Sequence, residues 1–456
     1  MNIVDIKGKN IVIIGIGRSG SGAGRLAKYL GANVLISESK ENSTLVTLSD
    51  KMKSFGIKTE LGGHSEKIFN SDLWVISPGV PQDAPILRKA SKMNIDIISE
   101  IEFASWFTNA QIIAITGSNG KTTTVNLLFK MCEINEISPV LGGNVGIAFS
   151  DLVLADLQNN ILNRLYILEI SSFQMERIKH FKPSISIFLN ISEDHLDRYK
   201  NMDDYINSKL NMIQNQDQND HIIYNLDDKI LNNKFFNALP QKHGFSLHDN
   251  SENIFSLLSN STKIYDDAFN KLIDLENISL PGKHNLSNIL AAATAAKILG
   301  VPNSKISRTI ASFKSIEHRI EKVLTINGVT YYNDSKATNV EAVKVALDSF
   351  KNTIYLILGG KDKGGQFSIL LPYIKDKVKK IIAYGEAANV IKAALGDAVK
   401  LKIVFSLKDA VKTCHSHAQS GDIVLLSPGC ASFDQFKNFE ERGNIFKSIV
   451  NEMAVA

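Results

Sequence analysis

Residues 112–124 read IIAITGSNGKTTT, and this stretch decides the fold. The apolar run ending in Thr116 predicts a buried parallel strand. Gly117, Ser118, Asn119 and Gly120 follow as a turn, then Lys121, Thr122 and Thr123 start a helix. Val125, Leu128, Phe129 and Cys132 recur there at i, i+3, i+4 and i+7, one apolar stripe. Strand, glycine turn and helix start make an anion site, because successive backbone N–H groups and the positive helix end face the phosphates. Lys121 adds a full charge, and the Thr122 hydroxyl is placed to ligate Mg²⁺. The full P-loop pattern has a glycine five residues before Gly120, where this chain has Ile115, so the loop is a shortened variant. Bounded by that strand and helix it predicts a bound nucleoside triphosphate; the plainer alternative is a chance GxxGKT in a loop. The fold class that follows is α/β.

Composition sets outer limits. A chain of 456 residues is too long for one core and suggests two to four domains. Hydrophobic residues make up 44%, and no run approaches the roughly 18 to 20 apolar residues of a membrane span. The start, MNIVDIKGKN, leads into a strand and lacks the apolar core of a signal peptide. Cys132, Cys414 and Cys430 are few and far apart, which argues against a disulfide framework or a zinc site. A cytoplasmic protein is expected. The net charge of +4, from 51 basic and 47 acidic residues without a basic block, suits anionic small substrates and gives no case for nucleic acid.

At the amino end an apolar strand over residues 10–14 runs into GIGRSG, where Gly15, Gly17 and Gly20 fit a dinucleotide fingerprint. Glu38 closes the next strand, VLISES. Three readings are open: NAD with Glu38 on a ribose, a tight turn without ligand, or a site for a nucleotide diphosphate. The next strand favours the last, since LWVISPGVP puts Ser77, Pro78 and Gly79 at a carboxyl end, where ligands sit in open α/β sheets.

Near Glu100 the pattern restarts, and the second domain carries further metal chemistry. LGGNVG is a glycine turn presenting Asn144. LYILEISSFQ delivers Glu169 from a buried strand, where ATPases place a Mg²⁺ carboxylate; a helix-capping glutamate is the alternative. SIFLNISEDHLDRY ends a strand in Asn190, Glu193, Asp194, His195 and Asp197, so His195 is a candidate for metal or phosphate contact rather than an ordinary core or surface histidine. YINSKLNM is helical and carries Lys209, which by itself reads as a solvent charge. From there to about residue 277 the chain is rich in Asn and Asp and reads as peripheral strands and loops. LPGKHNLSNILAAATAA then runs from a loop into an alanine-rich helix, with Asn285 and Asn288 able to meet a base or phosphate.

A third restart follows Phe313. IEHRIEKV holds Arg319 as a phosphate clamp. VTYYNDSKATN ends a strand with Asp334, Ser335, Lys336, Thr338 and Asn339. TIYLILGGKDKGGQF frames Lys361 and Lys363 with glycines, and DIVLLSPGCASFDQFKNFEERG brings Ser427, Cys430 and Ser432 to a strand end, with Phe439 beyond. Four such sets at strand carboxyl ends argue for a site.

ITGSNGKTT, LEISSFQ, ISEDHLDRY, GKHNLSN, EHR, NDSKATN, LGGKDKGG and SPGCASFDQFKNFEERG, in this order, resemble the Mur ligase family over the whole chain. NDSKATN and the SPGCASFDQF tail resemble the D-glutamate-adding members, whereas members that add a diamino acid have a motif built around Asn-Pro and Arg. The resemblance implies three α/β domains: a Rossmann-like domain for the nucleotide sugar over 1–99, a P-loop domain for ATP over 100–315, and a Rossmann-like domain for the amino acid over 316–456. It displaces NAD with a uracil nucleotide, held near Gly15, Gly17, Arg18, Ser19, Glu38, Ser39, Ser77, Pro78, Gly79 and Asn144. It implies an ATP site of Gly117 to Thr123 with Asn285, Arg319 and Asp334, Lys121 lying on the phosphates. Thr122 and Glu169 would hold one Mg²⁺, and His195 resembles the ligand of a second. Lys209 matches the lysine that the family carries as a carbamate. Lys336, Thr338, Lys363, Ser432 and Phe439 match the positions that hold D-glutamate, with Lys336 also counted as catalytic.

The implied activity is ATP-dependent ligation of D-glutamate to UDP-N-acetylmuramoyl-L-alanine through an acyl phosphate, in peptidoglycan precursor synthesis and hence cell wall, cell shape and division. The partners expected are small molecules, with no nucleic acid, no membrane and a monomeric chain. The rivals are a relative adding another amino acid, a folylpolyglutamate-type ligase, and, from another class, an NAD-dependent oxidoreductase.

Overall fold

The computed structural model describes residues 4–194, 198–235, 237–248, 254–256, 263–265, 271–280, 282–314, 317–362, 364–375 and 377–455. They form two compact units: Met1–Ile191 with Asn201–Ile278 and Ser287–Ala311, and Ser192–Lys200 with Ser279–Leu286 and Ser312–Ala456.

The first unit holds two parallel sheets. One is built from β1 (Asn10–Ile14), β2 (Asn33–Ser37), β3 (Lys58–Glu60), β4 (Leu73–Ile76) and β5 (Asp96–Ser99), in the order β3-β2-β1-β4-β5. The chain reverses its direction of travel between β1 and β4, and a crevice opens there above the carboxyl ends. The other comprises β6 (Gln111–Thr116), β7 (Pro139–Gly143), β8 (Leu165–Glu169), β9 (Ile185–Phe188), β10 (His221–Asn225), β11 (Gln241–Ser246) and β12 (Ile254–Ser256), in the order β12-β11-β10-β9-β6-β8-β7. β6, β8 and β9 are buried along nearly their whole length, which is why they read as continuous apolar runs rather than alternating ones. The Asn- and Asp-rich region supplies the β10–β12 edge, as expected for peripheral strands. It also supplies the antiparallel pair β13 (Lys263–Tyr265) and β14 (Lys271–Asp274).

The two sheets of this unit are joined through helices. Gly22 on the helix Arg18–Tyr29 leaves room for the helix Phe149–Gln158: a Cβ there would stand 3.0 Å from Asp151 Oδ2. Arg25 donates from Nε and Nη2 to Asp151 at 2.7 to 3.0 Å. Glu100 Oε1 accepts from Ser150 N at 2.7 Å, in the first turn of the same helix.

The second unit holds β15 (Glu321–Ile326), β16 (Val329–Asn333), β17 (Ile354–Gly359), β18 (Val378–Tyr384), β19 (Leu401–Ile403) and β20 (Ile423–Leu426), in the order β15-β16-β20-β17-β18-β19. Only β15 runs antiparallel, on the edge beside β16. Each face of this sheet packs a core of its own, one around Leu356, Leu358 and Ile381, the other around Tyr331, Ile357 and Leu426.

The helix Lys121–Cys132 departs from the single stripe expected of it. Thr122 to Val125, Leu127, Leu128, Met131 and Cys132 are all buried, while Phe129 is only half-buried. Small residues in its first turn let the helix sink against the sheet, so burial spreads beyond one face.

Candidate functional site

The crevice above β1 and β4 is a cleft of about 1030 Å³ whose walls include Gly15, Gly17, Arg18, Ser19, Glu38, Ser39, Ser77, Pro78 and Gly79. Of the residues expected around the nucleotide sugar only Asn144 is not among its walls. The turn is tightly packed: a Cβ on Gly20 would stand 1.8 Å from the Gly15 carbonyl oxygen, so only glycine fits. Ser77 Oγ donates to that carbonyl at 3.1 Å, tying β4 to the turn. Glu38 Oε2 accepts from Ile16 N at 3.2 Å, and Oε1 from Lys40 N at 3.1 Å. The carboxylate thus braces the loops on both sides of the cleft.

In the second sheet the turn after β6 lies between the ends of β8 and β9. Gly120 has φ 89°, and a Cβ there would meet Asn288 Oδ1 at 2.3 Å. Asn190, at the end of β9, holds the turn by accepting from Asn119 N at 2.8 Å and donating to Asn119 O at 3.1 Å. Lys121 curls over its own loop and donates to the carbonyls of Gly117 and Ser118 at 2.6 and 2.9 Å. Thr122 Oγ1 donates to Glu169 Oε2 at 2.6 Å, and Asn144 Nδ2 donates to Oε1 of the same carboxylate at 3.0 Å. Glu169 is therefore no helix cap: Ser171 caps the helix Ser172–Met175, in a capping box with Gln174. A hydroxyl and a carboxylate in contact, an all-oxygen set, suit Mg²⁺.

Lys209 is no solvent charge. It is 2% exposed, on the helix Met202–Leu210. Its Nζ lies 3.2 Å from the Gly117 carbonyl oxygen, 3.4 Å from Thr116 Oγ1 and 4.7 Å from the centre of the Tyr205 ring. Tyr205 in turn shares a hydrogen bond with Ser118 Oγ at 3.0 Å.

In the second unit Asp334 follows β16 and Ser427 follows β20; Ser427 Oγ donates to Asp334 Oδ2 at 2.7 Å. Ile320 N donates to Asp334 Oδ1 at 3.2 Å. Burial pushes this carboxyl up to about 7, against the lowering pull of Ser427 and the Arg319 charge. Lys336 Nζ stands 5.3 Å from the centre of the Phe439 ring. Ser432 is buried. Thr338 lines a cleft of about 330 Å³ with Glu193, Asp194, Asn339, Glu341 and Asp362, and Lys336, Ser432 and Phe439 are not among its walls. His195 and Lys363 lie outside the described residues.

The expected ATP set is thus divided, with Gly117 to Thr123 in the first unit and Asn285, Arg319 and Asp334 in the second. Asn288, three residues beyond Asn285, belongs to the first unit and is the asparagine against the phosphate turn. Its signal was the i, i+3 spacing of the two asparagines, which puts both on one helix face. Arg442 had no signal beyond its place in FEERG. Wholly buried, it donates from Nε to Ser335 Oγ (2.9 Å), from Nη2 to Ser335 O (2.7 Å) and from Nη1 to Cys430 O (3.1 Å). One guanidinium therefore fastens the NDSKATN loop to the SPGCAS loop.

Comparison with known proteins agrees along the chain. Residues 9–99 match the Mur ligase MurD-like N-terminal domain, 115–296 the Mur ligase middle domain, and 318–430 the Mur ligase glutamate ligase domain. A UDP-N-acetylmuramoylalanine–D-glutamate ligase of Chloroherpeton thalassium is 40% identical over 98% of both chains. One of Bacillus cytotoxicus is 39% identical over 99% of both. Among solved structures, a pseudomurein peptide ligase type C from Methanothermus fervidus has a TM-score of 0.60 at 20% identity, covering 98% of this chain and 100% of its own. A UDP-N-acetylmuramate–alanine ligase from Thermotoga maritima has 0.62 at 16%, with the same coverage. These two share the fold, and the 40% likeness of the first relative extends over nearly the whole sequence. With its three domain types in the same order, the chain belongs to the Mur ligase family.

Proposed function

We infer that this chain is the ATP-dependent ligase that joins D-glutamate to UDP-N-acetylmuramoyl-L-alanine in peptidoglycan precursor synthesis. The observation that carries the reading is the near full-length likeness, at 40% identity, to a relative named for that reaction. The chemistry of the two units supports it. We assign the nucleotide sugar to residues 1–99, ATP to 100–315 and the amino acid to 316–456.

A carboxylate and an amine at neutral pH form a salt, so the acid must be activated. In the first step a carboxylate oxygen of the L-alanyl group attacks the γ-phosphorus of ATP, and the bond to the bridging oxygen of ADP breaks. Both reactants are anions, and the Lys121 charge, placed at the phosphate turn, offsets their repulsion. The oxygens of Thr122 and Glu169 would hold one Mg²⁺, and His195 with a carbamate on Lys209 a second, supplying positive charge at the phosphates. Carbamylation turns Lys209 from a cation into an oxygen donor, and its burial beside Gly117 supports that role. In the second step the D-glutamate amine attacks the acyl carbon and inorganic phosphate leaves. The amine proton passes to His195 or to a phosphate oxygen. D-Glutamate carries two carboxylates, which suits recognition by the proposed set Lys336, Thr338, Lys363, Ser432 and Phe439, with Arg442 keeping the loops in place.

The test is ATP-dependent phosphate release with UDP-N-acetylmuramoyl-L-alanine, Mg²⁺ and one amino acid at a time: D-glutamate, L-glutamate, L-lysine and meso-diaminopimelate. Release with D-glutamate alone is expected. Release with another amino acid would overturn the specificity but keep the ligase. No release with any of them would overturn the acceptor assignment.

A further inference from the structure

The wall of the nucleotide-sugar cleft is wired to the phosphate centre through four residues. Arg18, in the cleft wall, donates from Nη2 to the Asn144 carbonyl oxygen at 2.6 Å. Asn144 then grips Glu169 twice: its backbone N–H donates to the Glu169 carbonyl at 2.8 Å and its side-chain amide to Oε1 at 3.0 Å. Glu169 Oε2 accepts from Thr122, the first residue after the loop lysine. We propose that Arg18 and Asn144 are positioning residues that relay occupancy of the nucleotide-sugar cleft to the Glu169 carboxylate, so that the UDP-substrate and the metal–nucleotide complex each bind more tightly when the other is present.

Asn144 follows the β7 strand end, and its carbonyl is the group that Arg18 holds. Arg18→Met removes the bond that holds this carbonyl, one end of the residue whose amide fixes Oε1. An anion near Arg18 holds the guanidinium in place, narrows the positions open to Asn144, and so lowers the ordering cost of fixing Glu169 for a cation. The reciprocal effect must have the same size, because the coupling is a free energy between two binding events. A second bridge from the same helix as Arg18, Arg25 on Asp151, involves no residue of the cleft wall and supplies a control.

The assignment rests on the reading of the cleft as a UDP-substrate site, and the test separates the two. The affinity of the Mg²⁺ complex of a non-hydrolysable ATP analogue is measured by calorimetry with and without saturating UDP-N-acetylmuramoyl-L-alanine, in the wild type, Arg18→Met, Asn144→Ala and Arg25→Met. In the wild type the UDP-substrate is expected to tighten the analogue by about 5-fold or more, the lower end of measured couplings. Arg18→Met and Asn144→Ala are expected to bring that factor near 1, with Arg25→Met keeping it, and Arg18→Lys to restore part of it. A variant Arg18→Met that binds the UDP-substrate more weakly yet keeps the full factor would make Arg18 a simple ligand contact and overturn the relay. Equal loss in Arg25→Met would assign the coupling to helix packing and overturn it too. A wild type that does not bind the UDP-substrate would overturn the functional reading itself.

Discussion

A lysine 2% exposed, with its ammonium against a carbonyl and a hydroxyl, needs a reason to be there, since burying an ammonium away from water costs several kcal/mol. As a carbamate, Lys209 would instead offer oxygen to a metal beside the phosphate loop. Lys209→Ala is therefore expected to lose most activity and to recover part of it in millimolar acetate or formate, which place a carboxylate in the vacated space. Full activity of the untreated variant would reject the modification. Glu100 poses a related problem away from the chemistry. Its Oε1 accepts from Ser150 N, its Oε2 is buried with no hydrogen-bond partner among the described residues, and burial raises the carboxyl to about 7. The folded chain then keeps a proton that the unfolded chain releases above about 4.5. The stability this gives is complete at low pH and is lost as pH rises through about 7. Glu100→Gln keeps the acceptor for Ser150 and removes the titration. Urea unfolding at pH 5 and pH 8 is expected to show a smaller loss of stability in the variant than in the wild type, and identical losses would refute the assignment.

At the scale of elements, the strand–turn–helix units were legible because their signals are local. The run before Thr116, the glycines at 117 and 120 and the lysine after them dictate a turn wherever they occur. Glu169 and Ser77 were legible for the same reason, as polar residues ending apolar strands. The partners that make those residues precise were not. Asn144 was expected near the nucleotide sugar; what the sequence did not show is that its amide lies on Glu169, because β7 and β8 are neighbours in the sheet and residues 25 apart meet there. Arg442 sits in a helix whose pattern reads as ordinary amphipathy; only the fold brings Ser335 and Cys430, from two different loops, around it. Replacing it with leucine removes a buried donor from the Ser335 and Cys430 carbonyls, which is expected to cost about 3 kcal/mol. Arg442→Lys keeps the charge but cannot span both loops. It is expected to stay folded and to raise the KM for D-glutamate about 10-fold, the worth of one lost hydrogen bond. An unchanged KM with an unchanged melting temperature would remove Arg442 from the positioning of the amino-acid site.

At the scale of the whole molecule, the reaction asks more than either unit supplies. The groups proposed to meet the phosphates, Lys121, Thr122 and Glu169, belong to the first unit, whereas Arg319, Asp334, Lys336 and Phe439 belong to the second. One acyl phosphate must be reached by both sets, since its phosphoryl group comes from ATP and its carbon is attacked by an amine held elsewhere. Orienting two reactants in this way converts a bimolecular encounter into an intramolecular one and excludes the water that would hydrolyse the acyl phosphate. We therefore expect the fully liganded enzyme to be more compact than the free one. Small-angle scattering with the ATP analogue, Mg²⁺ and the UDP-substrate together should give a smaller radius of gyration than the free chain. A radius unchanged at saturation with all three would mean that the units need not close, and the second set of residues would then have to act on the nucleotide without domain movement.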